Sequence, residues 1–306
     1  MPALRVLSLL PSATETVCAL GARAQLVGRS HECDFPREIR SLPAVSTPRF
    51  RPDRPSDEIH RDVRALIDAA LSTFAVDAEA VRRLTPDVIL TQTLCEACAV
   101  TPDDLVEAVA TWTGTRPEIV ALAPIDLADA FTDIRRVAAA LRTPEAGEAL
   151  VSGCATKIAR VVATVAARQR TPRVAALEWL DPPMAGGLWM PELIALAGGE
   201  SPFGTPGERA PPLPLDALVA ADPDLVVLAP CGFDLQRTRA EAGPLIGLLS
   251  ARGLRAAREG QVYALDGNAY FNRPGPRLAE SCEILAEILH PDLARFGHRR
   301  SGWLNL

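Results

Sequence analysis

Four side chains that could bind a metal ion lie in two short segments of this 306-residue chain. His31 and Cys33 are two residues apart, and Cys95 and Cys98 form a Cys-x-x-Cys pair. Three thiolates and one imidazole are the ligand set of a tetrahedral structural zinc site, and thiolates also bind iron. These residues therefore predict a zinc or iron site formed by His31, Cys33, Cys95 and Cys98.

The same residues fit three other interpretations. The Cys95–Cys98 pair could be a redox dithiol, because a predicted helix follows it. Free cysteines that are buried act as small hydrophobic side chains. His31 alone could be an axial ligand to cobalt or iron in a macrocycle, with its other ring nitrogen oriented by a neighbour such as Glu32. The spacing leaves these alternatives open.

Both segments follow apolar runs that are typical of buried strands, residues 24–28 and 87–90. In an open α/β sheet, loops that leave the carboxyl ends of neighbouring strands meet in one crevice, where ligands bind. Ser12 and Glu15 form a capping-box pattern after the first predicted strand, so they predict a helix whose N-terminus faces that crevice. We therefore expect Ser12, His31 and Glu32 to contact a ligand.

Strands and helices alternate along the chain, which predicts an α/β fold with parallel sheets covered on both faces. Residues 84–90 resemble residues 221–228, since each has a helix end, a Pro-Asp turn and an apolar strand. We expect two Rossmann-like lobes, residues 1–142 and 171–306, joined by one long backbone helix at residues 143–170. This architecture is that of a bilobal binding protein.

Loops of the second half carry aromatic and polar side chains of the kind that line large apolar ligand sites. Arg273 could pair with a carboxylate or an amide of such a ligand. The candidate ligand-binding residues of this half are Glu178, Trp179, Trp189, Tyr270, Phe271 and Arg273.

Composition excludes several function classes. A net charge of −6 argues against a nucleic-acid partner. No apolar run approaches the roughly 18 residues that cross a bilayer, so we expect a protein that is not inserted in a membrane. We also expect a monomer. The start lacks a signal-peptide pattern, and seven cysteines fit a reducing compartment. We expect a cytoplasmic protein if the chain is complete, or a periplasmic or cell-surface one if a signal was removed.

Common catalytic signatures are absent from the sequence. It contains no nucleotide-binding glycine motif, no H-E-x-x-H and no G-x-S-x-G. Their absence favours a binding protein over an enzyme, with a thiol enzyme as a third alternative.

Several short motifs occur along the chain in the same order as in a known protein family, from about residue 5 to about residue 289. The chain resembles the helical-backbone class, class III, of ABC-importer substrate-binding proteins, and within it the cobalamin-binding branch. The matching segments are residues 11–15, 27–30, 34–36, 85–89, 178–183, 196–200, 223–226 and 271–277.

The resemblance implies a corrinoid ligand, cobalamin or a precursor, held in a cleft between two lobes. It also implies an ABC permease partner that docks on Glu79 and Asp216, and a cleft aromatic at Tyr270. Pro48 and Glu32 stand where the cobalamin-binding branch has a tryptophan and a tyrosine. Together with the lack of a signal-peptide pattern, these departures suggest a cytoplasmic offshoot that binds a corrinoid or another metal complex. The alternative is a zinc or iron protein, or one that binds a metal chelate such as haem or a siderophore, through the His/Cys cluster.

Overall fold

The computed structural model describes residues 4–69, 71–94, 100, 103–105 and 116–306. The chain divides into two compact units. The first comprises Met1–Arg54, Glu58–Pro124 and Ala128–Ser152, and the second comprises Pro55–Asp57, Ile125–Leu127 and Gly153–Leu306.

The first 165 residues contain a four-stranded sheet, a separate two-stranded sheet and several helices. The described strands of this part are β1 (Val6–Ser8), β2 (Leu26–Arg29), β3 (Ser46–Pro48), β4 (Phe74–Val76), β5 (Val88–Gln92) and β6 (Glu118–Leu122). The two-stranded sheet is formed by β3 and β4. The described α-helices of this part are α1 (Pro11–Ala19), α2 (Ser56–Asp68), α3 (Ala78–Leu84), α4 (Leu127–Ala140) and α5 (Pro144–Val165).

The main sheet of the first unit is parallel throughout, in the order β2-β1-β5-β6. Successive side chains of a strand point to opposite faces, and both faces are packed here. Val6 and Val88 belong to one apolar cluster, whereas Leu7 and Ile89 belong to another. The α/β fold with a doubly covered parallel sheet is therefore confirmed.

The second unit repeats this plan with a larger sheet in the order β11-β10-β9-β7-β8. Its strands are β7 (Val174–Leu180), β8 (Pro183–Ala185), β9 (Leu225–Leu228), β10 (Val262–Leu265) and β11 (Trp303–Asn305). The further α-helices are α6 (Met190–Leu196), α7 (Leu215–Ala221), α8 (Leu235–Ala251), α9 (Arg255–Arg258) and α10 (Leu278–Leu289).

Both edges of this second sheet differ from the expectation of purely parallel sheets. The central strands β7, β9 and β10 are parallel, but β8 pairs antiparallel with β7 and β11 pairs antiparallel with β10. Each edge strand has only three residues. A run this short shows no readable period, so sequence patterns did not predict these strands.

Helix α5 carries the predicted apolar stripe, and Cys154, Ile158, Val161 and Val165 are buried. It has 22 residues and so is about 33 Å long at 1.5 Å per residue. The boundary between the two units falls inside this helix, after Ser152. The helix ends earlier than residue 170, before a charged segment that leads to Pro172.

The capping-box prediction at Ser12 is wrong. Helix α1 begins at Pro11, and Leu10 occupies the N-cap position without a side-chain hydrogen bond. Proline suits the first helical position because its missing N–H would be unpaired there. Ser12 therefore lies inside the first turn and is buried.

No α-helix among the described residues has the length and apolar character required to span a membrane.

Candidate functional site

His31 follows the carboxyl end of β2 and is held in place by strands β3 and β4. Its Nδ1 lies 2.9 Å from Oγ of Ser46, and its backbone N–H donates to the same oxygen at 3.2 Å. Its ring lies 5.3 Å from the ring of Phe74, measured between centroids, and Phe74 also contacts Phe50. Ser46, rather than the expected Glu32, therefore orients the imidazole of His31.

Burial lowers the pKa of His31 to about 4, because a charged imidazole loses hydration there, and Arg29 adds repulsion. The ring is therefore neutral at neutral pH. Since Nδ1 is engaged by Ser46, Nε2 is the nitrogen left to bind a ligand, and it has no hydrogen-bond partner among the described residues. A neutral imidazole with one fixed nitrogen is the form that ligates metals.

Glu32 and Ser12 lie near the carboxyl ends of the strands that precede them. The backbone N–H of Glu32 donates to Oγ of Ser30 at 3.1 Å, and its side chain is half-buried. The backbone carbonyl of Ser12 accepts a hydrogen bond from Oγ1 of Thr16 at 2.8 Å. Both residues keep their predicted place at this edge, and their contact with a ligand stays a prediction.

Cys33 of the predicted thiol cluster lies in the core of the first unit. Cys33 is 1% exposed in the apolar core, where Oγ1 of Thr14 donates to its Sγ at 3.0 Å. This position favours the interpretation of Cys33 as a core residue. Cys95 and Cys98 lie outside the described residues. Within the described ranges, no group of three or more His, Cys, Asp or Glu side chains could hold a metal ion.

Glu178 and Trp179 lie at the carboxyl end of β7. Oε2 of Glu178 accepts a hydrogen bond from the backbone N–H of Gly187 at 3.0 Å. Burial raises the pKa of this carboxyl to about 7, and the Gly187 hydrogen bond offsets part of that rise. The Trp179 ring is half-buried and tilts against the ring of Phe233 at 5.4 Å.

Phe233 and Arg237 are members of this group that sequence patterns did not single out. Phe233 follows β9, and the Arg237 guanidinium lies 3.7 Å from the centre of its ring. Arg237 also donates from Nε to Oε1 of Glu241 at 2.9 Å. Phe233 and Arg237 are four residues apart at the start of a helix. This spacing could have indicated their contact, because it brings an aromatic ring and a cation together.

In the loop after β10, Tyr270 is partly exposed whereas Phe271 is buried. Tyr270 is half-buried, with the Arg277 guanidinium 5.3 Å from its ring centre and the His298 ring at 6.2 Å. Phe271 is 1% exposed, and Trp189 is 6% exposed with its indole N–H donating to the Phe271 carbonyl at 2.7 Å. The burial of Phe271 and Trp189 argues against direct ligand contact by either side chain.

Arg273 is also buried, at 4% exposure, and its Nη2 donates to Oδ1 of Asn268 at 2.9 Å. This position differs from the expectation of an arginine available at the rim. We therefore assign Arg273, Phe271 and Trp189 to supporting the loop that carries Tyr270.

Glu79 and Asp216 occupy matching positions in the two units. Each lies in the first turn of a short helix, α3 or α7, and each side chain is exposed, by 76% and 90% respectively. Each also pairs with an arginine of its own unit, Arg83 or Arg252. Both carboxylates are thus accessible on the surface.

A family model described as "Periplasmic binding protein" matches residues 6–269. No curated protein matches the chain.

Several solved structures have a similar fold, and their names describe proteins that bind haem or vitamin B12. A periplasmic haem-binding protein from Pseudomonas aeruginosa is 24% identical, with a TM-score of 0.71 over 95% of this chain and 94% of the other. The haem-binding RhuT from Roseiflexus sp. RS-1 is 24% identical, with a TM-score of 0.69 over 94% and 98%. The vitamin B12-binding BtuF of Vibrio cholerae is 20% identical, with a TM-score of 0.68 over 94% and 97%. These likenesses show the fold.

Proposed function

Because the chain belongs to the periplasmic binding protein family, we propose that it binds a flat metal tetrapyrrole of the corrinoid type through loops that follow its parallel strands. Family membership makes it a substrate-binding protein rather than an enzyme. The names of its structural relatives include haem and vitamin B12, which supports a metal macrocycle as the class of ligand.

His31 is the observation that carries this proposal. Its imidazole is neutral near pH 7, its Nδ1 is held by Ser46, and its Nε2 has no hydrogen-bond partner among the described residues. An axial ligand to cobalt or iron needs these properties. We assign His31 as the axial ligand of the bound metal.

Aromatic side chains after the strands of the second unit supply the apolar contact that a large flat ring requires. Trp179 and Tyr270 are both half-buried, so part of each ring remains open to a ligand. Phe233, which is buried, packs against the ring of Trp179. Stacking on aromatic faces combined with a few polar anchors is the usual way such ligands are held.

A permease partner follows from the same proposal. The resemblance to ABC-importer substrate-binding proteins gives Glu79 and Asp216 as docking residues, and both carboxylates are exposed in the first turn of a helix. The family's printed name supports the periplasmic alternative for its location. The competing hypothesis is a bare zinc or iron site that includes Cys95 and Cys98.

Equilibrium titration of the purified protein with cobinamide, cyanocobalamin, haemin and Zn²⁺ tests the proposal. We expect a corrinoid to bind with a dissociation constant of about 1 μM or below, with a change in its visible spectrum. The His31→Ala variant should bind at least about tenfold more weakly, which is a loss of roughly 1.4 kcal/mol. The matched control His60→Ala, on α2, should bind normally. Binding of haemin or Zn²⁺ without binding of either corrinoid would overturn the proposal.

A further inference from the structure

Glu178 occupies an irregular position in an otherwise regular strand. The register between β7 and β8 shifts between Leu177 and Trp179, so Glu178 is the extra residue of a β-bulge. A bulge changes the direction of a side chain, and bulges are frequent beside binding sites. The position of Glu178 therefore requires an explanation beyond sheet formation.

One carboxyl oxygen of Glu178 is fixed and the other is not. Oε2 accepts the Gly187 N–H. Gly187 is packed closely against the next segment, because an added Cβ there would lie 2.4 Å from the backbone nitrogen of Ala210. In the part of the chain that the structure describes, Oε1 has no hydrogen-bond partner and the carboxyl has no ion-pair partner. The Glu178 residue is half-buried, and its carboxyl oxygen without a partner is available to a ligand.

The backbone of Glu178 is also held in place. Its carbonyl accepts the N–H of Cys231 at 3.1 Å, from the loop after β9. The next residue, Trp179, donates its indole N–H to the Asp181 carbonyl at 3.0 Å and packs on Phe233. Glu178 is thus a rigid polar group beside the aromatic face proposed to hold the ring.

The local electrostatics favour an uncharged partner. Burial raises the pKa of Glu178 to about 7, so both its protonated and its ionised forms are populated near neutral pH. Titratable groups on segments packed against it include Glu208 and Arg209, beside Gly187, and the exposed thiol of Cys231. Arg237 lies farther away, over the Phe233 ring that contacts Trp179. None of them forms an ion pair with Glu178 among the described residues.

We infer that Glu178 is a specificity-determining residue that favours tetrapyrroles with amide side chains and disfavours those with carboxylate side chains. The inference rests on the proposed function and narrows it to amidated corrinoids.

The hydrogen-bonding chemistry of the two ligand types gives this selectivity. A primary amide has both an N–H donor and a carbonyl acceptor, so it can pair with the ionised or the protonated carboxyl. A ligand carboxylate can pair only with the protonated form. With the ionised form it meets a like charge, which weakens its binding at a desolvated contact.

Two corrinoids with the same ring and cobalt provide the test. Cobinamide carries amide side chains, whereas cobyrinic acid carries carboxyl groups in their place. Their affinities should be measured at pH 8 for the wild type, for Glu178→Gln and for the control Glu208→Gln. Glu208 is exposed on the segment that packs against Gly187, so its variant removes a nearby charge without removing the proposed contact.

We expect Glu178→Gln to bind cobyrinic acid at least about tenfold more tightly than the wild type, with cobinamide changed by less than about threefold. Glu208→Gln should leave both affinities unchanged. If Glu178→Gln changed the affinities for both ligands equally, the role of Glu178 would be overturned while the proposed function stayed intact. The same conclusion would follow if Glu208→Gln gained as much affinity for cobyrinic acid as Glu178→Gln. If neither corrinoid binds the wild type, the proposed function fails and the role of Glu178 fails with it.

A second measurement uses the wild type alone, in case Glu178→Gln does not fold. Between pH 6 and pH 8 the affinity for cobyrinic acid should fall at least about fivefold more than the affinity for cobinamide, because Glu178 ionises in that window. Parallel pH profiles for the two ligands would contradict the inference.

Discussion

Oδ2 of Asp224 accepts a hydrogen bond from the backbone N–H of Arg173 at 2.9 Å, while the Asp224 backbone N–H donates to the Arg173 carbonyl at 2.8 Å. The Arg173 side chain in turn donates from Nη1 to the carbonyl of Ala221, at the end of helix α7, at 2.7 Å. These bonds join the start of β7 to the turn that leads into β9.

Arg5 and Asp87 repeat this relationship in the first unit. Oδ2 of Asp87 accepts the Arg5 N–H at 2.8 Å, and Nη2 of Arg5 donates to the carbonyl of Leu84, in the last turn of α3, at 2.8 Å. In both units a residue with a φ of 39° precedes the Pro-Asp turn, Thr85 in one and Asp222 in the other. The duplicated sequence pattern thus corresponds to a duplicated three-dimensional motif.

Removing the carboxylate of this motif should destabilise the second unit in a pH-dependent way. The Arg173 hydrogen bond, joined by Arg255, holds the pKa of Asp224 below its ordinary value of 3.8. A carboxyl whose pKa is lowered on folding stabilises the protein above its unfolded pKa and loses that effect as the pH falls through the folded pKa. Asp224→Ala should lower the free energy of unfolding by about 1–2 kcal/mol at pH 7.

Urea unfolding at several pH values measures this difference, which should shrink below about pH 4. Asp222→Asn is the matched control, because it removes a charge near Arg255 but keeps the Arg173 contact and tolerates a positive φ. A difference between wild type and Asp224→Ala that does not depend on pH would contradict this account.

The aromatic contact at His31 should control its protonation. Replacing Phe74 with alanine opens the ring to water, so the His31 pKa should rise from about 4 towards its ordinary value of 6.5. Titration of the imidazole carbon protons by NMR measures the shift. Phe50→Ala, which leaves the direct ring contact in place, should shift the pKa less. A His31 pKa that does not move in Phe74→Ala would show that burial by this ring is not its cause.

The same lowered pKa has a consequence for stability. Between pH 6.5 and pH 4 the unfolded chain binds a proton at His31 that the folded protein does not, so this contribution is complete above pH 6.5 and falls with the pH. His31→Gln should therefore lose less stability than the wild type between these pH values. Parallel loss of stability in both proteins would exclude this contribution.

The C-terminal segment should depend on Glu287. This carboxylate is 6% exposed and accepts the indole N–H of Trp303 at 2.8 Å, together with backbone N–H groups of Phe296 and Gly297. Glu287→Gln places an amide donor against some of these donors, so we expect a loss of about 2–3 kcal/mol in urea unfolding. Trp303→Phe removes one donor only and should cost about 1 kcal/mol. Equal effects of the two variants would argue against a central role for Glu287.

Permease docking should be separable from ligand binding. Reversing the exposed charges with Glu79→Arg and Asp216→Arg should leave the dissociation constant for cobinamide within about twofold, since surface charges contribute little to distant contacts. The double variant should lose stimulation of ATP hydrolysis by a cognate ABC permease in vesicles. Asp129→Arg, a reversal on α4, serves as the control. Full stimulation by the double variant would remove these two residues from the docking surface.

Apolar runs with clear boundaries were enough to predict most of the central strands. The apolar run at residues 87–90 overlaps β5, and the apolar strand expected within residues 221–228 is β9. Helix α8 has no continuous helical pattern in the sequence, because Pro244 and two glycines interrupt it. In the structure it runs from Leu235 to Ala251, and its N-cap, Asp234, accepts the Arg237 N–H at 2.8 Å.

Residues of the candidate site were found where they follow a strand and missed where a distant segment supplies them. His31 and Glu178 were identifiable because each lies at the carboxyl end of an apolar run. Ser46 was not identifiable. It lies in β3 and contacts His31 directly, and β3 pairs with β4, but both strands have only three residues and no local pattern predicts them. The burial of Trp189 and Phe271 likewise depends on packing that spacing does not reveal.

The most direct test of the central claim is electron paramagnetic resonance of the protein loaded with cob(II)inamide. A single nitrogen ligand on the cobalt splits each cobalt line into three, so the wild type and Phe50→Ala should both show this splitting. His31→Ala should show the unsplit spectrum of an oxygen-ligated cobalt. Nitrogen splitting that persists in His31→Ala, or its absence from the loaded wild type, would contradict the assignment of His31 as the axial ligand.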